Sequence, residues 1–99
     1  MNTSTNDKII TVSKELTIVN KLGLHARAAS KLAQLCQQFT ATINLELEGK
    51  NADANSIMAI MLLAGGQGKT VKVTIVGVDA PQALQAISQL ISNKFDEDE

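Results

Sequence analysis

Thr42-Ile43-Asn44-Leu45-Glu46-Leu47-Glu48-Gly49-Lys50-Asn51 decides how this chain folds, because its apolar and polar residues alternate without a break. Ile43, Leu45 and Leu47 point one way while Asn44, Glu46 and Glu48 point the other. That period of two fits a half-buried strand and not a helix. Glu48-Gly49-Lys50-Asn51 then reads as a tight reversal, with Gly49 able to take a positive φ. A strand with a single apolar face packs on that side only, so its sheet is expected to be mainly antiparallel, with the other side wet.

Downstream, the return strand sets Ala52 and Ala54 inward, and Asn55 or Ser56 caps a short helix from Ile57 to about Leu63. That helix is apolar almost all round. Ile57, Ile60, Met61 and Ala64 make a core stripe at helical spacing, which leaves Met58 and Leu62 on another face. Those two are expected to form a docking patch, the alternative being that they pack under the loop after the first helix. Ala64-Gly65-Gly66-Gln67-Gly68-Lys69-Thr70 looks like the end of a nucleotide-binding P-loop, but the first glycine of that pattern falls on Leu63. The segment also follows a helix and enters a strand, the reverse of the required order, so nucleotide binding is not expected. Its glycines instead end the helix and lead into a strand over 70–76 with Val71, Val73 and Ile75 on one face. Asp79 and Gln82 have capping-box spacing around Pro81, and Ala83, Ile87, Leu90 and Ile91, with Leu84 alongside, give the last helix its apolar face. Residues 96–99, Asp-Glu-Asp-Glu, are expected as a solvated acidic tail.

Upstream, residues 1–8 read as a flexible polar tail, and 9–19 contain the first strand, with Leu16 and Ile18 on the core face. Ala28, Ala29, Leu32, Ala33, Cys36 and Phe39 recur at helical spacing and predict a helix from about Ala26 to Gln38. Cys36 lies on its apolar side and reads as a buried structural thiol. Between that strand and helix stands Gly23-Leu24-His25-Ala26-Arg27, which places the only histidine at or beside the helix N-cap. First-turn N–H groups have no intrahelical acceptor, and with the helix dipole they favour an anion. Arg27 adds a guanidinium able to hold phosphate oxygens, so a phosphoryl group suits this turn. Histidine beside a helix terminus also serves simply to make one hydrogen bond, and that alternative stands. No carboxylate neighbours His25 in the sequence to act as its base.

The element order is β-α-β-β-α-β-α, an α+β arrangement in which a four-stranded, mainly antiparallel sheet is covered on one face by three helices. One domain over 9–95 is expected, with neither repeat nor second domain.

Asn20-Lys21-Leu22-Gly23-Leu24-His25-Ala26-Arg27-Ala28-Ala29 resembles the active-site segment of the HPr family, the histidine phosphocarriers of the bacterial phosphotransferase system. Asn55-Ser56-Ile57-Met58-Ala59-Ile60-Met61 resembles the family's second signature, and the likeness runs over about residues 10–95. The resemblance implies an open-faced β-sandwich with strand order 1-4-2-3. It also implies phosphorylation of His25 on Nδ1, with Arg27 attending the phosphoryl group. An enzyme I type protein would be the donor, fed by phosphoenolpyruvate, and an EIIA-type protein the acceptor. The chain would then be a carrier that needs partner enzymes, not an enzyme itself. Leu24, Met58 and Leu62 fall on the implied docking face, and Ser56 matches a serine that some members carry as a regulatory phosphorylation site. One departure is Ala28, where the family usually has proline. Asn20-Lys21-Leu22, the Ala54–Met58 stretch and the Phe95-Asp96-Glu97-Asp98 ending lean toward the nitrogen-related branch, NPr, over sugar transport. The other readings are a sugar-transport HPr and a regulatory binding protein that never carries phosphate.

Composition narrows the field further. A net charge of −1 gives no basic footprint, and an aromatic share of 2% leaves no stacking platform, so nucleic acid is not an expected partner. One cysteine supplies neither a disulfide nor a thiolate metal cluster, and no cofactor or metal is expected. The polar start lacks the apolar run of a signal peptide, and the longest apolar stretch is too short to span a bilayer. A cytoplasmic monomer without membrane insertion is expected.

Overall fold

The structure, a computed structural model, describes residues 8–97. Its elements are β1 (Ile10–Thr17), α1 (Ala26–Cys36), β2 (Thr42–Leu47), β3 (Lys50–Asp53), α2 (Ile57–Leu62), β4 (Thr70–Gly77) and α3 (Ala80–Ser92). The four strands lie in the order β1-β4-β2-β3, and every pairing is antiparallel. This is the implied order and the implied open-faced sandwich. Residues 1–7 of the expected N-terminal tail, and Asp98 and Glu99 of the acidic one, lie outside the described residues.

The alternating stretch behaves as read. Ile43, Leu45 and Leu47 from β2 and Val71, Val73 and Ile75 from β4 are all buried, and they meet Leu32, Ile87, Ile91 and Phe95 from the helical side. The reversal is tighter than expected, because Leu47 already pairs with Lys50. Its two loop residues, Glu48 (φ 52°) and Gly49 (φ 85°), are both left-handed, the backbone sign that matches a two-residue hairpin to the twist of its strands. On the open face, Lys72 of β4 stands in register with Glu15 of β1 and Glu46 of β2, a charge alternation that favours these neighbours.

Three expectations need correction. The first helix ends at Cys36, with Gln37 as its cap. Asp79 does not cap α3 through its side chain. Its carboxylate instead accepts from the backbone N–H of Thr40 (2.9 Å) and of Ala41 (3.0 Å), tying the α1–β2 loop to the start of α3. Third, the core stripe of α2 is narrower than its pattern. Only Ile60 is buried within the helix, joined by Leu63 just beyond it, while Ile57 and Met61 are 41% and 39% exposed and Ala64 is exposed. A helix of six residues has fewer than two turns, so one i, i+3 pair makes its contact with the core.

Candidate functional site

The site begins where β1 ends. Ile18 holds the chain against the α2–β4 loop, donating to Lys69 O (2.9 Å) and accepting from Gly68 N–H (2.7 Å). Gly23 then turns left-handed (φ 67°), and Leu24 N–H donates to Gly65 O (2.8 Å). A Cβ on Gly23 would lie 2.3 Å from that same oxygen, so the close approach of the two loops requires glycine here. The junction carries the far end of α2 to the side of His25, and Leu22, Leu24, His25, Ala64, Gly65 and Gly66 line one open cleft.

Leu24, expected on the docking face, is only 6% exposed. Its side chain points under the junction, where a Cβ on Gly65 would stand 2.8 Å from its Cδ1, and it belongs to the core. Its neighbour Leu22 is the exposed one. Met58 and Leu62 are each 69% exposed, so together with Ile57 and Met61 they widen the apolar surface beyond the expected pair.

His25 is the N-cap of α1, with extended backbone (φ −76°, ψ 178°) and its C=O accepting from Ala29 N–H (2.8 Å). Ala29 is therefore the first intrahelical donor, and the N–H groups of Ala26, Arg27 and Ala28 precede it. The imidazole makes no cap bond. It lies half-buried, and its Nε2 is hydrogen-bonded to Glu97 Oε2. Arg27, the second residue of α1, is exposed in the turn that His25 caps.

Glu97 is the residue that sequence reading missed. The acidic end was expected in solvent, yet Glu97 is folded back onto a histidine 72 positions away. The device is the turn Lys94–Asp96, whose three residues are all left-handed (φ 60°, 54° and 64°). That conformation costs on the order of 1 kcal/mol per non-glycine residue, so something must hold it. Phe95 is fully buried, Lys31 Nζ donates to Phe95 O (2.9 Å), and the same ammonium lies 3.8 Å from Asp96 Oδ2. Beyond the turn, Asn20 Nδ2 donates to both Glu97 Oε1 (3.2 Å) and Gly23 O (2.9 Å). Burial pushes the Glu97 carboxyl up, but the hydrogen bonds from His25 and Asn20, with the charges of His25 and Arg27, outweigh it and hold the group below its usual range. The one signal available in the sequence was Phe95, a large apolar residue between the last helix and an acidic run.

The remaining singled-out groups are accounted for locally. Ser56 Oγ accepts from Ala59 N–H (3.1 Å) and caps α2, as read. Cys36 is buried, and burial, with Asp53 nearby, pushes its thiol up to about 12. Among the described residues no His, Cys, Asp and Glu cluster could hold a metal, and no helix is long and apolar enough to cross a membrane.

The cleft beside His25 is open, with exposed Leu22 and Ala64 along it, so a reacting group is met at a surface. The fold and site together define a small α+β domain that presents one histidine, at the head of a helix, beside an open cleft. Comparison with known proteins gives that domain a family. The family model described as the PTS HPr component phosphorylation site matches residues 12–93. The chain is 49% identical over 84 residues to phosphocarrier protein HPr of Xylella fastidiosa, covering 85% of this chain and 94% of that one. It is 46% identical over 86 residues to phosphocarrier protein NPr of Shewanella violacea, covering 87% and 94%. The crystal structure of an HPr from Bacillus anthracis superposes with a TM-score of 0.79 at 40% identity, over 82% of this chain and 96% of that one. The chain belongs to the HPr family of phosphotransferase-system phosphocarriers.

Proposed function

We propose that His25 accepts a phosphoryl group on Nδ1 from an enzyme I type donor and passes it to an EIIA-type acceptor. The observation that carries this reading is a half-buried imidazole at the head of α1, beside N–H groups without intrahelical acceptors and next to an exposed apolar surface. Neutral imidazole is a competent nucleophile near pH 7, and it releases a phosphoryl group readily. Arg27 and the first-turn N–H groups stabilise the charge on the transferring group. Leu22, Ile57, Met58, Met61 and Leu62 supply the surface on which donor and acceptor dock in turn. Ser56 serves as the α2 cap, and its regulatory phosphorylation is not part of this proposal.

Within the family, we read the chain as an HPr of general or sugar-transport type. The greater of the two identities above is to an HPr, and the short motifs that pointed to the nitrogen-related branch do not outweigh likeness over the whole domain. A cytoplasmic site of action follows from the partners proposed. Incubation with phosphoenolpyruvate and an enzyme I type donor, read by mass spectrometry at neutral or alkaline pH, should show one labile phosphate on the protein and none on His25→Ala. An unmodified native protein would instead favour a regulatory binding role. Transfer onward to sugar-specific acceptor domains, faster than to nitrogen-related ones, checks the branch.

A further inference from the structure

We infer that Glu97 is a positioning residue for His25, holding the ring as the Nε2–H tautomer so that the Nδ1 lone pair is free to attack. The inference rests on the carrier reading and adds to it a residue that sequence reading left in solvent. A carboxylate can only accept, so the contact between His25 Nε2 and Glu97 Oε2 requires the proton on Nε2. Nδ1 then carries the lone pair, and it makes no hydrogen bond among the described residues. The carboxylate is itself oriented. Asn20 is fully buried, and with Nδ2 turned toward Gly23 O and Glu97 Oε1 it meets two acceptors, whereas a flipped amide would set oxygen against both. Oε1 is therefore assigned to Asn20 and Oε2 to the imidazole. The left-handed turn anchored by Phe95 and Lys31 delivers Glu97 to this position.

In the transfer step, the Nδ1 lone pair forms the N–P bond while the bond from phosphorus to the donor's leaving atom breaks, and that atom keeps the electron pair. The Nε2 proton stays on the ring, whose new positive charge lies against the Glu97 carboxylate. When the group moves on, the N–P electron pair returns to Nδ1 and the ring is again neutral.

The arrangement makes a sharp prediction for Glu97→Gln. Asn20 demands oxygen at the Oε1 position, so the new amide turns its NH2 toward His25 Nε2. A donor there favours the opposite tautomer, with the proton on Nδ1 and the nucleophile blocked. Glu97→Ala removes the acceptor and leaves the ordinary mixture of tautomers. Long-range proton–nitrogen correlation spectra of 15N-labelled, unphosphorylated protein near neutral pH should show Nε2–H in the native chain, a mixture in the Ala variant and mainly Nδ1–H in the Gln variant. Initial rates of phosphorylation by an enzyme I type donor should follow the Nε2–H fraction, falling about tenfold in the Gln variant and less in the Ala variant. Identical ring signatures in the three proteins, or separated signatures with equal rates, would overturn the proposal. Ring signatures that separate as expected in a chain that never takes phosphate would remove the carrier reading alone, and leave Glu97 as the residue that sets the ring.

Discussion

At the scale of single residues, Arg27 and Cys36 differ in exposure and so in what each can do. Arg27 is exposed and holds no part of the core, so Arg27→Ala should leave the thermal melt unchanged while slowing phosphoryl transfer about tenfold or more, through loss of one charged donor. An unchanged transfer rate would take Arg27 out of the site. Cys36 makes the opposite case. With its thiol pushed up to about 12 by burial, it should resist alkylating reagents at pH 8 in the folded protein and react only after denaturation. The residues that sequence could identify are those whose partners are close in the chain. His25 heads a helix whose period is visible in the next ten residues, Ser56 caps a helix three residues on, and Cys36 declares itself by its place on an apolar stripe. Glu97 and Asp79 could not be placed that way, because their acceptor roles bind groups 72 and 38 positions distant. A carboxylate in an exposed run carries no local sign that a buried amide and an imidazole will meet it.

At the scale of elements, α2 is the piece whose existence was legible and whose orientation was not. Its residues are apolar nearly all round, so the pattern left several stripes equally able to face the core. The structure sets Ile60, with Leu63 just beyond the helix, against the core, and the Gly23–Gly65 junction ties down the loop that follows. The consequence is testable with one substitution on each side. Ile60→Glu should unfold the domain or nearly so, since it buries an unpaired charge. Met58→Glu, and equally Met61→Glu, should keep the native circular dichroism and weaken binding to the donor about tenfold, read by titration calorimetry. If Met61→Glu unfolds like Ile60→Glu, Met61 belongs to the core face and not to the docking face. At the helix start, Ser56→Ala should lower stability by about 1 kcal/mol and leave transfer largely intact. Gly23→Ala should do more harm, about 1–2 kcal/mol from the left-handed backbone alone, with the collision against Gly65 O added to it.

At the scale of the whole molecule, two carboxylates tie distant parts of the chain together and give it an acid limit. Hydrogen bonds from the backbone of Thr40, followed by that of Ala41, hold Asp79 below the usual range, and Glu97 is held low despite its burial. For a carboxyl whose folded value is depressed, the contribution to stability is complete above the unfolded value, about 4, and is lost as pH falls through the folded value. The melting temperature should therefore stay level from neutrality to about pH 5 and drop below about pH 4, with a shallower drop in Asp79→Asn. Phe95→Ala should cost about 3–5 kcal/mol through the cavity it leaves, a large part of the 5–15 kcal/mol typical of a whole domain. It should also release Glu97 from His25, so transfer would slow even where the fold survives. The strand order has a consequence in time as well as in space. A ribosome delivers β1, β2 and β3 before β4, yet β4 lies between β1 and β2 and pairs with both. Until it emerges, only the β2–β3 hairpin can form, and β1 waits with both its edges open. The nascent chain thus folds late, as a wedge entering a gap. A synthesis stall before Thr70 would leave the edges of β1 and β2 that β4 covers exposed together, the condition most inviting to aggregation.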